Sequence, residues 1–393
     1  MTLLEPGSAR AGPTMGDAAL IDAMIAVESA WLRARGHPGI EGLVTDTTAL
    51  IDVVDRGAEL AGNPVVPLVA ELRSLLEDAG DQDQASALHR GLTSQDVFDT
   101  ALVLTCRHAT GTIAAHLARA VAAVRALAAA HRDSVRCGRT LTQPAVPTTF
   151  GAVAATWLHA VLDATEDLLG ASDTLPLQLG GAAGTLAGPL TQLDDPAAAL
   201  AALLGLEAAP PWHVNRAPIT RFADALVRVH DACGLIANDV LVGARPEIGE
   251  LREGAGGGSS TMPHKHNPVL SVLIRGGVIA APGLGATLHA AAAAQVDQRA
   301  DGGWHAEWRT LGSLVRSTAI TASRLADLTD GLVVDVERMR TNVAGATGEL
   351  LSEAHALGSD ATTPAGYLGA AGVLTDAAIE RVDGFLAIHE VPR

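Results

Sequence analysis

Two apolar seams constrain this chain more than any other feature. Phe222, Leu226, Val229, Cys233, Ile236 and Val240 recur at spacings of 4, 3, 4, 3 and 4, and Trp308, Leu311, Val315, Thr318, Ala322 and Leu325 repeat nearly the same rhythm. Such a repeat puts all of these side chains on one helix face, which a chain can bury only against other long helices. A shorter stripe, Leu20, Met24, Val27 and Trp31, runs through residues 17–35 and ends near Gly36 and Pro38. Residues 97–131 run long and Ala-rich, with Ile113, Leu117, Val121 and Val124 on one face, until Gly138 and Pro144 break the pattern. Strand-like alternation is nearly absent. Because 48% of residues are apolar but only 3% aromatic, the interior must be Ala, Leu, Val and Ile, which suits close helix packing. The expectation is a mostly α chain with an N-terminal helical domain (1–99), a central long-helix bundle (100–335) and an abbreviated helical C-terminal segment (336–393). Gly331 is placed to cap the second seam.

Charge and cysteine usage narrow the function classes. The formal charge of -17, with no basic face in the sequence, argues against a nucleic-acid partner and requires a locally positive pocket for any anionic substrate. Cys106, Cys137 and Cys233 are odd in number and widely spaced, which fits a reduced cytoplasmic chain. The N-terminus lacks a basic start followed by an apolar run, so it does not read as a signal peptide. Gly276 to Val296 is uncharged and long enough to span a bilayer. It is mostly Ala and Gly, with Pro282 and His289 inside, and reads as a buried helix of a protein without a membrane partner.

Three polar or Gly-rich interruptions lie between the helical stretches: His89 to Thr100, Gly138 to Gly151, and Gly254 to Pro268. The last contains the only lysine among 27 basic residues, Lys265. A compact ammonium kept where every other basic position is Arg points to a site that demands a point charge. Around it, Gly256, Gly257 and Gly258 let backbone N–H groups approach an anion, Ser259 and Ser260 add hydroxyls, and Asn267 adds an amide. Together they can hold a carboxylate. A Walker loop fails on spacing, because Pro263-His264-Lys265-His266 stands where Gly-Lys-Ser/Thr is needed. A cation between His264 and His266 disfavours a metal there. His305-Ala306-Glu307 has the zinc-deaminase spacing, but no Pro-Cys-x-x-Cys follows, so it reads as a helix start.

The run Gly258 to Asn267 meets every fixed position of G-S-S-x-M-P-x-K-x-N, and it resembles the signature loop of the fumarase, aspartase, argininosuccinate lyase and adenylosuccinate lyase superfamily. Two further regions follow the same order, HRGLTSQDVFDTAL (His89 to Leu102) and GRTLTQPAVPTTFG (Gly138 to Gly151). Within the superfamily, Thr93-Ser94-Gln95-Asp96, Leu179 to Thr185 and Trp304 to Trp308 look most like the bacterial 3-carboxy-cis,cis-muconate cycloisomerases. Most lyase relatives carry a catalytic His after the Arg-Thr of the second region; here Leu141 follows Arg139-Thr140, and the cycloisomerases also lack that His.

The resemblance implies a cofactor-free and metal-free lactonisation of a small polycarboxylate, with active sites shared between the protomers of a homotetramer. It assigns proton transfer to Ser259, with Ser260 as the alternative, and makes Lys265 and Asn267 the donors to the enolate-like carboxylate. By motif position, His89, Thr93, Ser94, Thr140, Gln143 and Met262 become substrate contacts. Arg299 joins them, although Asp297 departs from the family pattern beside it. For the Ser and Thr positions the bland alternative is a helix cap. A fumarate-releasing lyase and a catalytically silent helical scaffold are the competing readings of the same chain.

Overall fold

The computed structural model describes residues 3–388 except 255, 256, 259–261, 263, 264 and 300. Helix α1 (Asp17–Ala34) carries the first stripe, with Met24, Val27 and Trp31 buried. It is followed by α2 (Thr48–Ala61), α3 (Val65–Asp78), α4 (Gln82–Ala87) and the long α5 (Ser94–Ala130). A hairpin of β1 (Val135–Thr140) and β2 (Gln143–Thr149) leads into α6 (Phe150–Asp173), α7 (Pro196–Leu204) and α8 (Ala217–Gly243). Then come β3 (Leu251–Glu253), α9 (Val269–Ala293), α10 (Gly303–Asp330), β4 (Leu332–Val334), α11 (Val336–Gly345), α12 (Thr347–Ala356) and α13 (Ala371–Ile388). The fold is mostly α, as the seams predict. All six residues of the first seam are on α8 with 0% exposure. The second seam lies on α10, where Leu311, Val315, Thr318, Ala322 and Leu325 are equally buried. Gly331 follows the last residue of α10 and its N–H returns to the Asp327 carbonyl.

The chain divides into two compact units. The first comprises residues up to Gly111 with Leu168–Leu226 and Gly283–Arg316. Phe98 of α5 packs against Trp304 and Trp308 of α10 in this unit, at centroid distances of 5.7 and 4.6 Å. The second comprises Thr112–Asp167, Val227–Pro282 and the chain from Ser317 onward. There Trp157 of α6 is fully buried and donates its indole N–H to Asp239 of α8 at 2.7 Å. The C-terminal helix α13 is fastened by paired hydrogen bonds from Arg125 to Asp383 and from Arg132 to Asp376.

Two sequence expectations need correction. Gly138 to Gly151 contains a hairpin, paired from Val135↔Thr149 to Thr140↔Gln143, rather than a bare interruption. Pro144 and Pro147 disguise β2, since proline is uncommon in strands except at edges and bulges. Gly138 marks the bulge in β1, where a Cβ would stand 2.5 Å from the Val146 carbonyl oxygen. The second correction concerns α9, whose Val272 and Ile279 are 54% and 72% exposed, so this is not a buried helix within one chain. An almost entirely apolar run has no polar face to show which side meets solvent. The three cysteines are free and buried.

Candidate active site

In the first unit Thr93 of the Thr-Ser-Gln-Asp region meets a carboxylate that sequence reasoning passed over. Thr93 precedes α5 and Ser94 opens it; Asp96, three residues after Thr93, accepts the Thr93 amide at 3.0 Å, the backward half of a capping box. Asp96 is 1% exposed and accepts four more hydrogen bonds, from the Gly180 and Gly181 amides at 2.9 Å each and from Gln178 Nε2 and His213 Nε2 at 3.0 Å each. It thereby ties the Thr93-Ser94 corner to the glycine turn that follows Leu179. Gly181 has φ +70°, and a Cβ on Gly180 would meet His213 at 2.5 Å, so this turn accepts only glycine. Arg299 donates to the Ala182 carbonyl at 2.8 Å and so docks on the same turn.

His89 stands at the approach to this corner with φ +60° and its Nδ1 2.5 Å from Glu28 Oε1. Burial alone would push the imidazole pKa down, but the hydrogen bond and charge of Glu28, helped by Asp96, raise it above the usual histidine value. Beneath the first turns of α5, Arg216 forms ion pairs with Asp99 and Glu307, each at 2.7 Å, with no member more than 1% exposed. Glu307 is thus spoken for, and His305 to Glu307 lies in the opening turns of α10.

In the second unit the signature loop is clamped at its neck. Gly257 and Asn267 exchange both backbone hydrogen bonds, at 3.0 and 2.9 Å, and a Cβ on Gly257 would meet Val269 at 2.3 Å. Within the loop, Lys265 donates its amide to the Met262 carbonyl at 3.0 Å and leaves its side chain exposed; Met262 is 40% exposed. Ser259 and Ser260 lie outside the described residues. Glu253, 3% exposed, accepts the Leu270 and Ser271 amides and the Ser271 hydroxyl at 3.0, 2.8 and 2.7 Å. A buried carboxylate therefore caps α9 where the loop ends. A cavity of about 260 Å³ lies beside the loop, lined by Glu253, His266, Asn267 and Pro268.

The hairpin meets this region through Glu250. Its carboxylate is fully buried and paired with Arg136 at 3.0 Å and Arg139 at 2.9 Å, and it accepts from Asn342 at 2.8 Å. Burial works against the charge, yet the two guanidiniums and the amide hold Glu250 below its usual carboxylate range. Thr140 and Gln143 pair at the mouth of the hairpin and are exposed. Leu141 and Thr142 form its turn, at φ +47° and +73°. Leu141 is 95% exposed, so the position held by a catalytic His in the relatives described above presents an aliphatic chain at a loop tip. Among the described residues no hydrogen bond joins the side chains of Lys265, Thr140 and Asn267.

The model of the lyase family, described simply as lyase, matches residues 41–283. The chain belongs to that family. As a lyase-family enzyme it is 39% identical to nitrosuccinate lyase of Streptomyces davaonensis, over 96% of this chain and 83% of that protein. It is 38% identical to 3-carboxy-cis,cis-muconate cycloisomerase of Bradyrhizobium diazoefficiens, over 86% of this chain and 78% of the relative. The crystal structure of 3-carboxy-cis,cis-muconate lactonizing enzyme from Pseudomonas putida superposes with a TM-score of 0.86 at 30% identity, covering 95% of this chain and 98% of the other. The resemblance carried by the signature loop therefore holds for the lyase-family fold and for its cycloisomerase branch.

Of the residues missed in sequence, Asp96 was the most accessible, because Thr-x-x-Asp ahead of an apolar run is a helix-start pattern. Glu28 was also visible in principle. It lies four residues after Met24 and three before Trp31, a charge on the buried stripe of α1. Glu250 and Glu253 had no such signal, since neither sits in a periodic segment.

Proposed function

We propose that this enzyme lactonises 3-carboxy-cis,cis-muconate to 4-carboxymuconolactone without a cofactor, in cytoplasmic protocatechuate breakdown. One substrate carboxylate adds to the alkene carbon β to a second carboxylate, forming the ring C–O bond, while a proton is delivered to the α carbon. Reactant and nucleophile are one molecule, so holding the reactive rotamer supplies much of the rate; effective molarities for such internal attack reach roughly 10⁵–10⁸ M. Ser259 serves as the proton donor, and Lys265 with Asn267 stabilises the developing aci-carboxylate. The substrate is close to a trianion at neutral pH, which calls for several further donors, and His89, Thr93, Ser94, Thr140, Gln143 and Arg299 are the ones proposed.

The observation that carries this reading is the exposed aliphatic residue at the hairpin tip. Leu141 cannot protonate a departing amine, and lactonisation has no departing group. A homotetramer with shared sites is supported by the exposed apolar side of α9, where Val272 and Ile279 need a partner to be buried. The deciding assay follows loss of the conjugated absorbance of 3-carboxy-cis,cis-muconate, with the Ser259→Ala variant as control. No turnover by correctly assembled enzyme overturns the proposal.

A second reading is favoured by the 39% identity to nitrosuccinate lyase over 96% of the chain. Removal of the proton next to one carboxylate of nitrosuccinate, with breakage of the C–N bond, gives fumarate and nitrite. Nitrite leaves as a stable anion, so Leu141 is no obstacle there either. Nitrite release from nitrosuccinate, together with inert 3-carboxy-cis,cis-muconate, selects this reading.

A further inference from the structure

Glu28 is an ionisable side chain with 0% exposure, and only one of its oxygens is satisfied: Oε1 meets His89 Nδ1, while Oε2 has no partner among the described residues. A carboxylate taken out of water in this way is tolerated when a cation faces it. The opposing imidazole is held with unusual care. His89 adopts φ +60°, a left-handed conformation that a side chain bearing a Cβ adopts at the expense of strain. The backbone around it is fixed from two sides: Trp31 of α1 and Arg35, just past its end, donate to the carbonyls of Arg90 and Ala87 at 3.1 Å each, and Arg73 of α3 donates to those of Ala85 and Leu88 at 3.3 and 3.4 Å. The imidazole uses Nδ1 on Glu28 and remains 21% exposed, and Nε2 makes no hydrogen bond among the described residues.

We propose that Glu28 is a positioning residue that keeps His89 cationic, with its Nε2–H free to receive one carboxylate of the substrate. This deepens the polycarboxylate reading and rests on it. The charged groups facing His89 are Glu28 from α1, Asp96 from α5 and Arg73 from α3; the two carboxylates favour the imidazolium, while burial and Arg73 oppose it. The net balance lies toward the charged form. The strained corner then has a purpose. It spends backbone strain to bring a cation next to Thr93 and Ser94 rather than to stabilise the fold.

The test combines steady-state kinetics on 3-carboxy-cis,cis-muconate across pH with a titration that needs no turnover. In wild-type enzyme KM should stay flat through neutrality and rise where His89 loses its proton. In Glu28→Gln that rise should move at least about one pH unit lower, with KM near pH 7.5 up about tenfold and kcat within about threefold. A profile superimposable on wild type overturns the proposal, as does an equal loss of kcat at every pH with no shift, which marks a merely structural role. In parallel, the His89 resonance of histidine-labelled wild-type enzyme, identified by its absence in His89→Asn, should titrate above the ordinary histidine value of about 6.5 and move higher with added tricarballylate. A midpoint at or below that value, or no response to tricarballylate, overturns the proposal even if Glu28→Gln does not fold. If the wild type turns over neither substrate, the functional reading fails while the titration still decides the Glu28–His89 relationship.

Discussion

Arg139 and Glu250 meet through hydrogen bonds of 2.9 and 3.3 Å, and that contact joins the hairpin to the strand from which the signature loop departs. Glu250 is fully buried and also pairs with Arg136, so one carboxylate answers two guanidiniums. Replacing it by Gln leaves both cations in a half-dry pocket, and breaking a buried pair from one side costs about 3–5 kcal/mol. Glu250→Gln should therefore lower the urea midpoint strongly at pH 7. Glu250 is held below its ordinary value in the folded state, so its contribution is present above the unfolded pKa of about 4.3 and is lost as pH falls through the folded pKa. The gap between wild type and variant should accordingly close below about pH 4.3.

Asp96 predicts a different defect. It satisfies three backbone amides, of Thr93, Gly180 and Gly181, and each buried amide left unpaired costs about 1–3 kcal/mol. Asp96→Ala should destabilise the chain by at least about 3 kcal/mol in a denaturant titration. It should also loosen the Gly180–Gly181 turn, read as faster amide hydrogen exchange at residues 179–184. Unchanged exchange there would remove Asp96 from its role as the tie between the two segments.

The hairpin tip offers the opposite sign. Leu141 and Thr142 both lie at positive φ, where residues with a Cβ are strained by roughly 1–2 kcal/mol each and Asn-Gly is the favoured pair. Leu141→Asn with Thr142→Gly should raise the urea midpoint, by an amount on the order of 1 kcal/mol. A lower midpoint would show that contacts of the Leu141 side chain outweigh the strain of its backbone.

His230 sets an acid limit. It is fully buried on α8, its Nε2 3.1 Å from the Thr318 hydroxyl and its Nδ1 without a partner among the described residues. Burial pushes its pKa down to about 4. The unfolded chain therefore binds this proton more readily, so stability is full above about pH 6.5 and falls as pH drops toward the folded pKa. Thermal melts of wild type should show that slope between pH 6.5 and 4, and His230→Gln should flatten it.

The helices were legible because burial leaves a periodic mark: every residue of the 222–240 seam is fully buried, as its spacing requires. The hairpin was illegible because Pro144, Pro147 and Gly138 look like breaks when read singly and become edge and bulge residues only once paired. At the candidate site, the loop proposed to hold the substrate announced itself through Lys265 and its glycines. The acids that hold it in place, Glu250 and Glu253, did not. Their partners lie far along the chain or in backbone amides, and neither relationship has a local spacing.

The sequence asymmetry between lysine and arginine yields the sharpest prediction. Lys265 is the one Lys of the chain, and its side chain is exposed and makes no hydrogen bond or ion pair among the described residues. Lys265→Arg should then leave the urea midpoint within about 0.5 kcal/mol of wild type, as expected for an exposed side chain. If the position is occupied by a point charge that meets carboxylate oxygens as negative charge builds, a planar guanidinium of greater reach cannot take its place. Loss of one preorganised donor to such a centre is worth about 10²–10³ in kcat. Lys265→Arg should therefore lose at least about a hundredfold in kcat while keeping its fold. Wild-type kcat in this variant would mean that the lysine survives for reasons unrelated to catalysis, and the anion site would have to be built from the remaining donors alone.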